Sequence, residues 1–509
     1  MTRFALSRLN ARARWRYASI AQRYLMVLLA VFLAKGIAIT FIHDPFTGHD
    51  EVAHYAYLQV VATERRVPLI PDPDMWRSAD AVANPAGFDR IPAYFWKYCQ
   101  FSTQDWSGCG DNQCPDSCYL HVDQTDGKIM PAGWIYTANH PPLYYLLMTP
   151  IYWLTSSLSP EGQLIWLRLA AIPFGMLTVL FAYMTVRSLV PNDPRRFLAI
   201  TVPAVVAFQP QISYEAAMLN NDILAIALTS CTIWLVAVGL RRRFPIWSCV
   251  LIGATLGLAL LAKSTAITVV VVIAAGMVLG LGWRDWRAWL PRGAIAAGVA
   301  ALLIWPWYLY MYRTYGDFNA LNRIHALQWW NYSDEASPTI WSQLTDREFF
   351  WRIWGQTWGG FGWHLIPLSD RLLGLLLYVA LFGMIGLAFA TIRAWLGARN
   401  GPPGGQGLPE SGTAMGLPVR YAGLMILALL CIVSYAAILQ FGTGFQGTQA
   451  RYAFPAVNAA ATLFMIGIRG WFPRRWLPFV AFLVIAGLVI LNVVIYIGYV
   501  IPWNLDHHA

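Results

Sequence analysis

About eleven apolar runs, each long enough or nearly long enough to cross a bilayer as a helix, constrain this chain more than any other feature. They lie at 24–42, 164–187, 197–213, 223–240, 247–262, 265–282, 293–312, 371–391, 421–440, 452–468 and 477–500. The expected fold is an all-α polytopic membrane protein, a single integral membrane domain over 1–509. Composition agrees: 12% of residues are charged, against about 25% in soluble domains. The formal net charge of +10 sits between the runs rather than on one polar face. It therefore reads as a topology signal, and nucleic-acid binding is excluded.

Charge also orients the spans. With the N-terminus inside, every inner segment holds at least three basic residues, as in Arg187, Arg195 and Arg196, or Arg241, Arg242 and Arg243. Short outer loops hold almost none, Lys263 and Arg451 being the exceptions. The basic start "MTRFALSRLNARARWRY" before the first run reads as a retained signal anchor rather than a cleaved peptide. The run 141–154 is short and interrupted by Pro, so it is expected to be a juxtamembrane helix outside.

Two long outer segments follow, 43–163 and 313–370. The first carries Cys99, Cys109, Cys114 and Cys118. Four cysteines on an outer face suggest two disulfides, with three pairings open and a zinc site as the rival reading. Cys231, Cys249 and Cys431 fall in spans and read as packing residues. The inner segment 393–420, with "NGPPGGQGLPESGTAMG", reads as a linker.

In this topology the unusual polar residues share one side. "FTGHDEVAHYAY", 46–57, brings His49, Asp50, Glu51 and His54 to the mouth of the first span. His140 opens "NHPPLYY", and Glu215, Asn220, Asn221 and Asp222 join the third and fourth spans. Lys263 lies between the fifth and sixth; Gln449, Arg451 and Tyr452 lie between the ninth and tenth. Ionisable groups at membrane depth are costly and point to function. Plainer readings stand beside that one. Asp50 and Glu51 suit a helix start, Asn220 and Asp222 suit a cap, and Lys263 can snorkel to the interface. His54, four residues after Asp50, would share its helical face and could orient it. Lys35, inside the first span, needs an unidentified partner. Chemically, a carboxylate at the boundary can be a general base, and a Lys with an Arg can hold a leaving phosphate.

The ordered series "GHDEVAHYAY", "NHPPLYYLL", "LNND", "LLAKSTA" and "TQARYAFPA" resembles the GT-C superfamily of membrane glycosyltransferases. That superfamily includes protein O-mannosyltransferases and the lipid A aminoarabinose transferase. The nearest resemblance is to a bacterial branch with DE, HPPLYY, NND and QGRY-like motifs; Ala450 stands where Gly is expected. A large soluble C-terminal domain found in some relatives is not seen. The resemblance implies a GT-C fold with juxtamembrane helices on its two outer loops. It also implies a polyprenyl-phosphate-sugar donor and an outer-face site in the bacterial inner membrane. Asp50 would be the catalytic base, with Glu51 and His54 supporting it or touching substrate. Lys263 and Arg451 are the donor-phosphate candidates. His49, His140, Asn221, Asp222, Gln449 and Tyr452 are the substrate-binding candidates. No cofactor is required on this reading, although a divalent metal could sit at Asp50 and Asp222, as in some members of the superfamily.

The leading expectation is inverting transfer of a sugar to a lipid, glycan or protein acceptor. A lipid-linked glycan transporter or flippase is the first alternative, resting on Lys35 and Lys263, but the polar residues gather at one face and no inverted repeat is visible. An envelope polysaccharide polymerase or ligase is the second.

Overall fold

The computed structural model describes residues 19–73, 88–101, 120–122, 129–131, 133–327, 338–400, 413, 418–445 and 447–507. It is nearly all helical; one short antiparallel pair of strands, Leu120–Val122 with Ile129–Pro131, accompanies the helices. Among the described residues nine helices are long and apolar enough to cross a membrane, and one bent pair would make a tenth.

The expected count of about eleven differs from this at two places. The run 197–213 is broken. Helices Phe197–Phe208 and Pro210–Ala216 meet at Gln209, and the break bends the span by 63°. Pro210 has no N–H to continue the ladder. The Gln209 side chain instead accepts from the Ile212 N–H at 2.6 Å. The run 247–262 becomes a 17-residue helix, Ile246–Ala262, about 26 Å long and a little short of the roughly 30 Å hydrocarbon core. The run 141–154 forms the 12-residue helix Leu143–Leu154, too short to span.

Lys35 finds its partners at the break. Its Nζ donates to the Ala207 carbonyl at 2.7 Å and to Asn492 Oδ1 at 3.1 Å. Asn492 in turn donates to the Phe208 carbonyl at 2.7 Å. These carbonyls are the ones the broken helix leaves unmatched, and in lipid they must be satisfied from within the protein.

Small residues let the spans approach. A Cβ on Gly253 would lie 2.3 Å from the Ala296 carbonyl oxygen, so the helices Ile246–Ala262 and Trp286–Tyr315 touch backbone to backbone there. Large apolar side chains such as Leu302, Tyr378 and Phe482 are exposed on the outside, as a lipid-facing surface requires. The expected bounds 43–163, 313–370 and 393–420 fall partly outside the described residues, as do Cys109, Cys114 and Cys118, so the cysteine pairing lies there too.

Candidate active site

The helix Glu51–Glu64 begins at the mouth of the first span, and Asp50 stands at its N-cap with φ 58°. A left-handed non-glycine residue is uncommon and worth a physical explanation. Here the Asp50 side chain does not cap the helix. It turns away to two partners: the Tyr136 hydroxyl donates to Oδ1 at 3.0 Å, and Arg451 Nη2 donates to Oδ2. Asp50 is 6% exposed. Burial pulls its carboxyl upward, but the surrounding groups, Arg451 first among them, together hold it well below the usual carboxylate range.

Glu51 points elsewhere. Arg168 clasps it with two nitrogens, Nε to Oε1 at 2.8 Å and Nη2 to Oε2 at 2.5 Å. The Leu219 N–H also donates to Oε1 at 2.8 Å, and the Gly48 N–H to Oε2 at 3.0 Å. Gly48 is required here, since a Cβ would lie 2.4 Å from the Glu51 carboxyl carbon. Arg168 further donates to the His43 and Asp44 carbonyls, each at 2.8 Å. This fully buried pair thus ties the start of the helix to the span Pro160–Leu189 and to the turn before Asn220.

Arg451 links the two carboxylates. Its Nη1 stands 3.4 Å from Asp222 Oδ2, an ion-pair contact rather than a hydrogen bond, while Lys263 Nζ donates to Asp222 Oδ1 at 2.6 Å. The order is Asp50, Arg451, Asp222, Lys263, with charge alternating along it. The Tyr452 ring lies under both cations, 5.3 Å from Lys263 Nζ and 5.9 Å from the Arg451 guanidinium carbon. All four charged residues are less than 9% exposed.

The remaining candidates flank this row. His54 Nδ1 pairs with the Tyr145 hydroxyl at 2.8 Å rather than with Asp50, so it does not orient the carboxylate by a hydrogen bond. Burial pushes the imidazole down to about 3, partly opposed by Asp50. His140 Nδ1 is 3.3 Å from Asn221 Nδ2, and Asn221 donates to the Ala262 carbonyl at 2.8 Å. Burial and the Lys263 charge push His140 well below the ordinary imidazole range. Gln449 is buried, and its Oε1 has no hydrogen-bond partner among the described residues. His49 pairs through Nδ1 with Glu215 Oε1 at 3.1 Å.

Asp50 and Asp222, the acids that could hold a divalent ion, are both engaged by cationic side chains. Among the described residues no three His, Cys, Asp or Glu groups converge on one point. A metal would have to displace Arg451, so this arrangement does not fit a resident ion. Three contributors were not singled out from the sequence. Arg168 holds Glu51, Tyr136 holds Asp50, and His364, driven down to about 2 chiefly by burial, stands beside His49. Arg168 was detectable as a lone charge inside an apolar run.

Residues 140–322 match a family model described as dolichyl-phosphate-mannose-protein mannosyltransferase. The matched stretch begins at His140 and takes in Arg168, Glu215, Asp222 and Lys263. No curated protein sequence matches the chain. Among solved structures the chain is similar to ArnT from Cupriavidus metallidurans bound to undecaprenyl phosphate. That likeness has 14% identity and a TM-score of 0.49, over 94% of this chain and 73% of that one. It is also similar to the Archaeoglobus fulgidus oligosaccharyltransferase tethered with an acceptor peptide containing the NVT sequon. There the identity is 12% and the TM-score 0.48, over 92% of this chain and 53% of that one. This chain therefore spans about half the length of the archaeal protein.

Proposed function

We propose that this chain is a membrane glycosyltransferase of the GT-C superfamily and that it uses Asp50 as general base to move a sugar from a polyprenyl-phosphate donor to an acceptor hydroxyl. The observation that carries this is the row Asp50–Arg451–Asp222–Lys263, assembled from four segments far apart in sequence. It sets the Asp50 carboxylate against one buried cation, Arg451, with a second, Lys263, on the next acid in the row. In an inverting displacement the nucleophile and the leaving phosphate lie on opposite sides of the anomeric carbon, so the Asp50–Arg451 contact must open to admit the sugar between base and clamp.

Asp50 accepts the acceptor's hydroxyl proton. The acceptor oxygen forms a bond to the anomeric carbon as the bond from that carbon to the phosphate oxygen breaks. Polyprenyl phosphate leaves with the electron pair, and the centre inverts. Arg451 and Lys263 offset the negative charge that gathers on the phosphate. The acceptor is a lipid, a glycan or a protein, and the reaction is placed at the outer face of a bacterial cytoplasmic membrane. The outer face rests on the arginine-rich inner segments, and the bacterial cytoplasmic membrane rests on the family resemblance.

The test uses the full chain in nanodiscs with radiolabelled polyprenyl-phosphate sugars and membrane extract. Turnover of one donor by wild type, lost in Asp50→Asn while donor binding persists, supports the reading. Full turnover by Asp50→Asn removes Asp50 as the base.

A further inference from the structure

Behind Asp50 lies a second polar group of residues that the row of charges does not use. His49 and Glu215 are buried to 1% and 0% exposure. Once His49 Nδ1 has paired with Glu215 Oε1, His49 Nε2 and Glu215 Oε2 have no hydrogen-bond partner among the described residues. The same holds for both ring nitrogens of His364 and for Trp363 Nε1. The rings sit together: His49 to His364 at 4.8 Å and His49 to Trp363 at 6.1 Å between centroids. Buried polar atoms left unmatched cost free energy, so a cluster of them points to a ligand.

The backbone is shaped to bring them there. Gly362, Trp363 and His364 all have positive φ, 54°, 60° and 65°. Two consecutive bulky residues in that region are strained and need the surrounding structure to hold them. The helix Pro210–Ala216, which carries Glu215, imposes the bend: the Gly360 N–H donates to Gln211 Oε1 at 2.9 Å, and the Gly362 N–H to the Tyr214 hydroxyl at 3.1 Å. Tyr214 also donates to the Thr47 carbonyl at 3.3 Å, just before His49. One short helix thus holds both loops against each other.

The two sides of Asp50 differ in charge. The strongest charges acting on His54 and His140 include Asp222 and Lys263; those acting on His364 are His49, Arg451, Asp50 and Arg352. Asp50 and Arg451 act on His54 and on His364 alike, so both lie within reach of the two groups of imidazoles. Ligand classes can be separated by donor type. Glu215 opposes a phosphate. The Trp363 indole only donates, so a cation cannot satisfy it. An apolar group would leave every one of these atoms unmatched. A polyhydroxylated ring both donates and accepts at each hydroxyl and meets all of them.

We infer that His49, Glu215, Trp363 and His364 form a subsite for the hydroxyls of a sugar ring, next to Asp50. The inference rests on the proposed donor chemistry and extends it. The sugar is either that of the donor or that of a glycan acceptor.

The test measures three quantities on the full chain in nanodiscs, for wild type, Glu215→Gln, His364→Ala and His364→Gln. These are affinity for polyprenyl phosphate without sugar, affinity for the sugar-bearing donor that wild type turns over, and acceptor KM. Polyprenyl-phosphate affinity is expected to match wild type, which also shows that each variant is folded. If the subsite holds the donor sugar, donor affinity falls about tenfold in the variants. If it holds an acceptor glycan, donor affinity is unchanged and acceptor KM rises about tenfold. Variants that keep both values, or that lose polyprenyl phosphate to the same degree as the sugared donor, overturn the subsite. A wild type that binds no polyprenyl phosphate overturns the donor reading itself, and that result is separate from the variant pattern.

Discussion

Arg451 lies 401 positions after Asp50 in the chain, yet its guanidinium donates directly to the Asp50 carboxylate. The contact joins the mouth of the first span to the short 3-10 helix Ala450–Ala456 at the start of the span Ala450–Trp471. A carboxylate held this way is a weak base, because the arginine stabilises its charged form. A phosphate arriving at Arg451 would compete for the same nitrogens and leave Asp50 with a higher proton affinity. Donor binding and base strength are then coupled through one side chain.

That coupling has a pH signature. Asp50 in the free protein sits below the ordinary carboxylate range, so the acid limb of kcat/KM, which reports the free enzyme, is expected to lie below about pH 4. The acid limb of kcat reports the donor complex and is expected at higher pH. Coincident limbs would separate Arg451 from the donor phosphate. Asp50→Asn should lower kcat by about 10²–10⁴ at every pH.

The histidine at position 54 gives a stability prediction with its own sign. Its folded pKa is depressed to about 3, while the unfolded chain takes its proton near 6.5. The unfolded state binds more protons between those values, so stability falls as pH drops from about 6.5 toward 3. His54→Gln should flatten that part of the melting-temperature profile. A wild-type profile already flat there would place His54 in a wetter setting.

Glu51 separates structure from chemistry. Removing one partner of a buried ion pair leaves a charge without compensation and costs about 3–5 kcal/mol. Arg168→Ala and Glu51→Ala are both expected to lower the melting temperature sharply and to remove activity through the fold. A Glu51→Gln protein that melts like wild type but turns over no donor would instead give Glu51 a direct part in the reaction.

Much of the site was legible because charge is rare in this chain. Asp50, Asp222, Lys263 and Arg451 each interrupt apolar sequence, and a common side of the membrane followed from the arginines between spans. The family match over 140–322 agrees with the resemblance carried by the motifs in that stretch. Pairings were less legible. Arg168 lies within a run that reads as an ordinary span, and only the fold shows that Glu51 is its partner. The bend at Gln209 was hidden for a related reason: Pro210 is plain in the sequence, but a proline inside a span is often only a kink. Lys35 and Asn492, which satisfy the broken helix, are 457 positions apart. His364 and Trp363 sit among many aromatic residues, and nothing local marks their positive φ.

Chelation tests the engagement of the two acids. With Asp50 and Asp222 held by Arg451 and Lys263, EDTA is expected to leave turnover unchanged. Loss of turnover on chelation, restored by added Mg²⁺ or Mn²⁺, would mean that a metal displaces Arg451 from the carboxylates in the working enzyme.

Asp222 touches both cations and so opposes the phosphate for them. Neutralising it should strengthen the grip of Lys263 and Arg451 on polyprenyl phosphate, the product that must leave. Asp222→Asn is expected to bind polyprenyl phosphate about tenfold more tightly, an amount equal to roughly 1.4 kcal/mol. Its kcat should fall with no matching rise in donor KM, and a burst of transferred sugar should precede the slow steady state, because release now limits turnover. A purely structural role would weaken product binding along with turnover. Asp222→Glu, which keeps the charge, should recover much of the release rate. If Asp222→Asn binds polyprenyl phosphate more weakly than wild type, Asp222 organises the cations rather than competing with the phosphate for them.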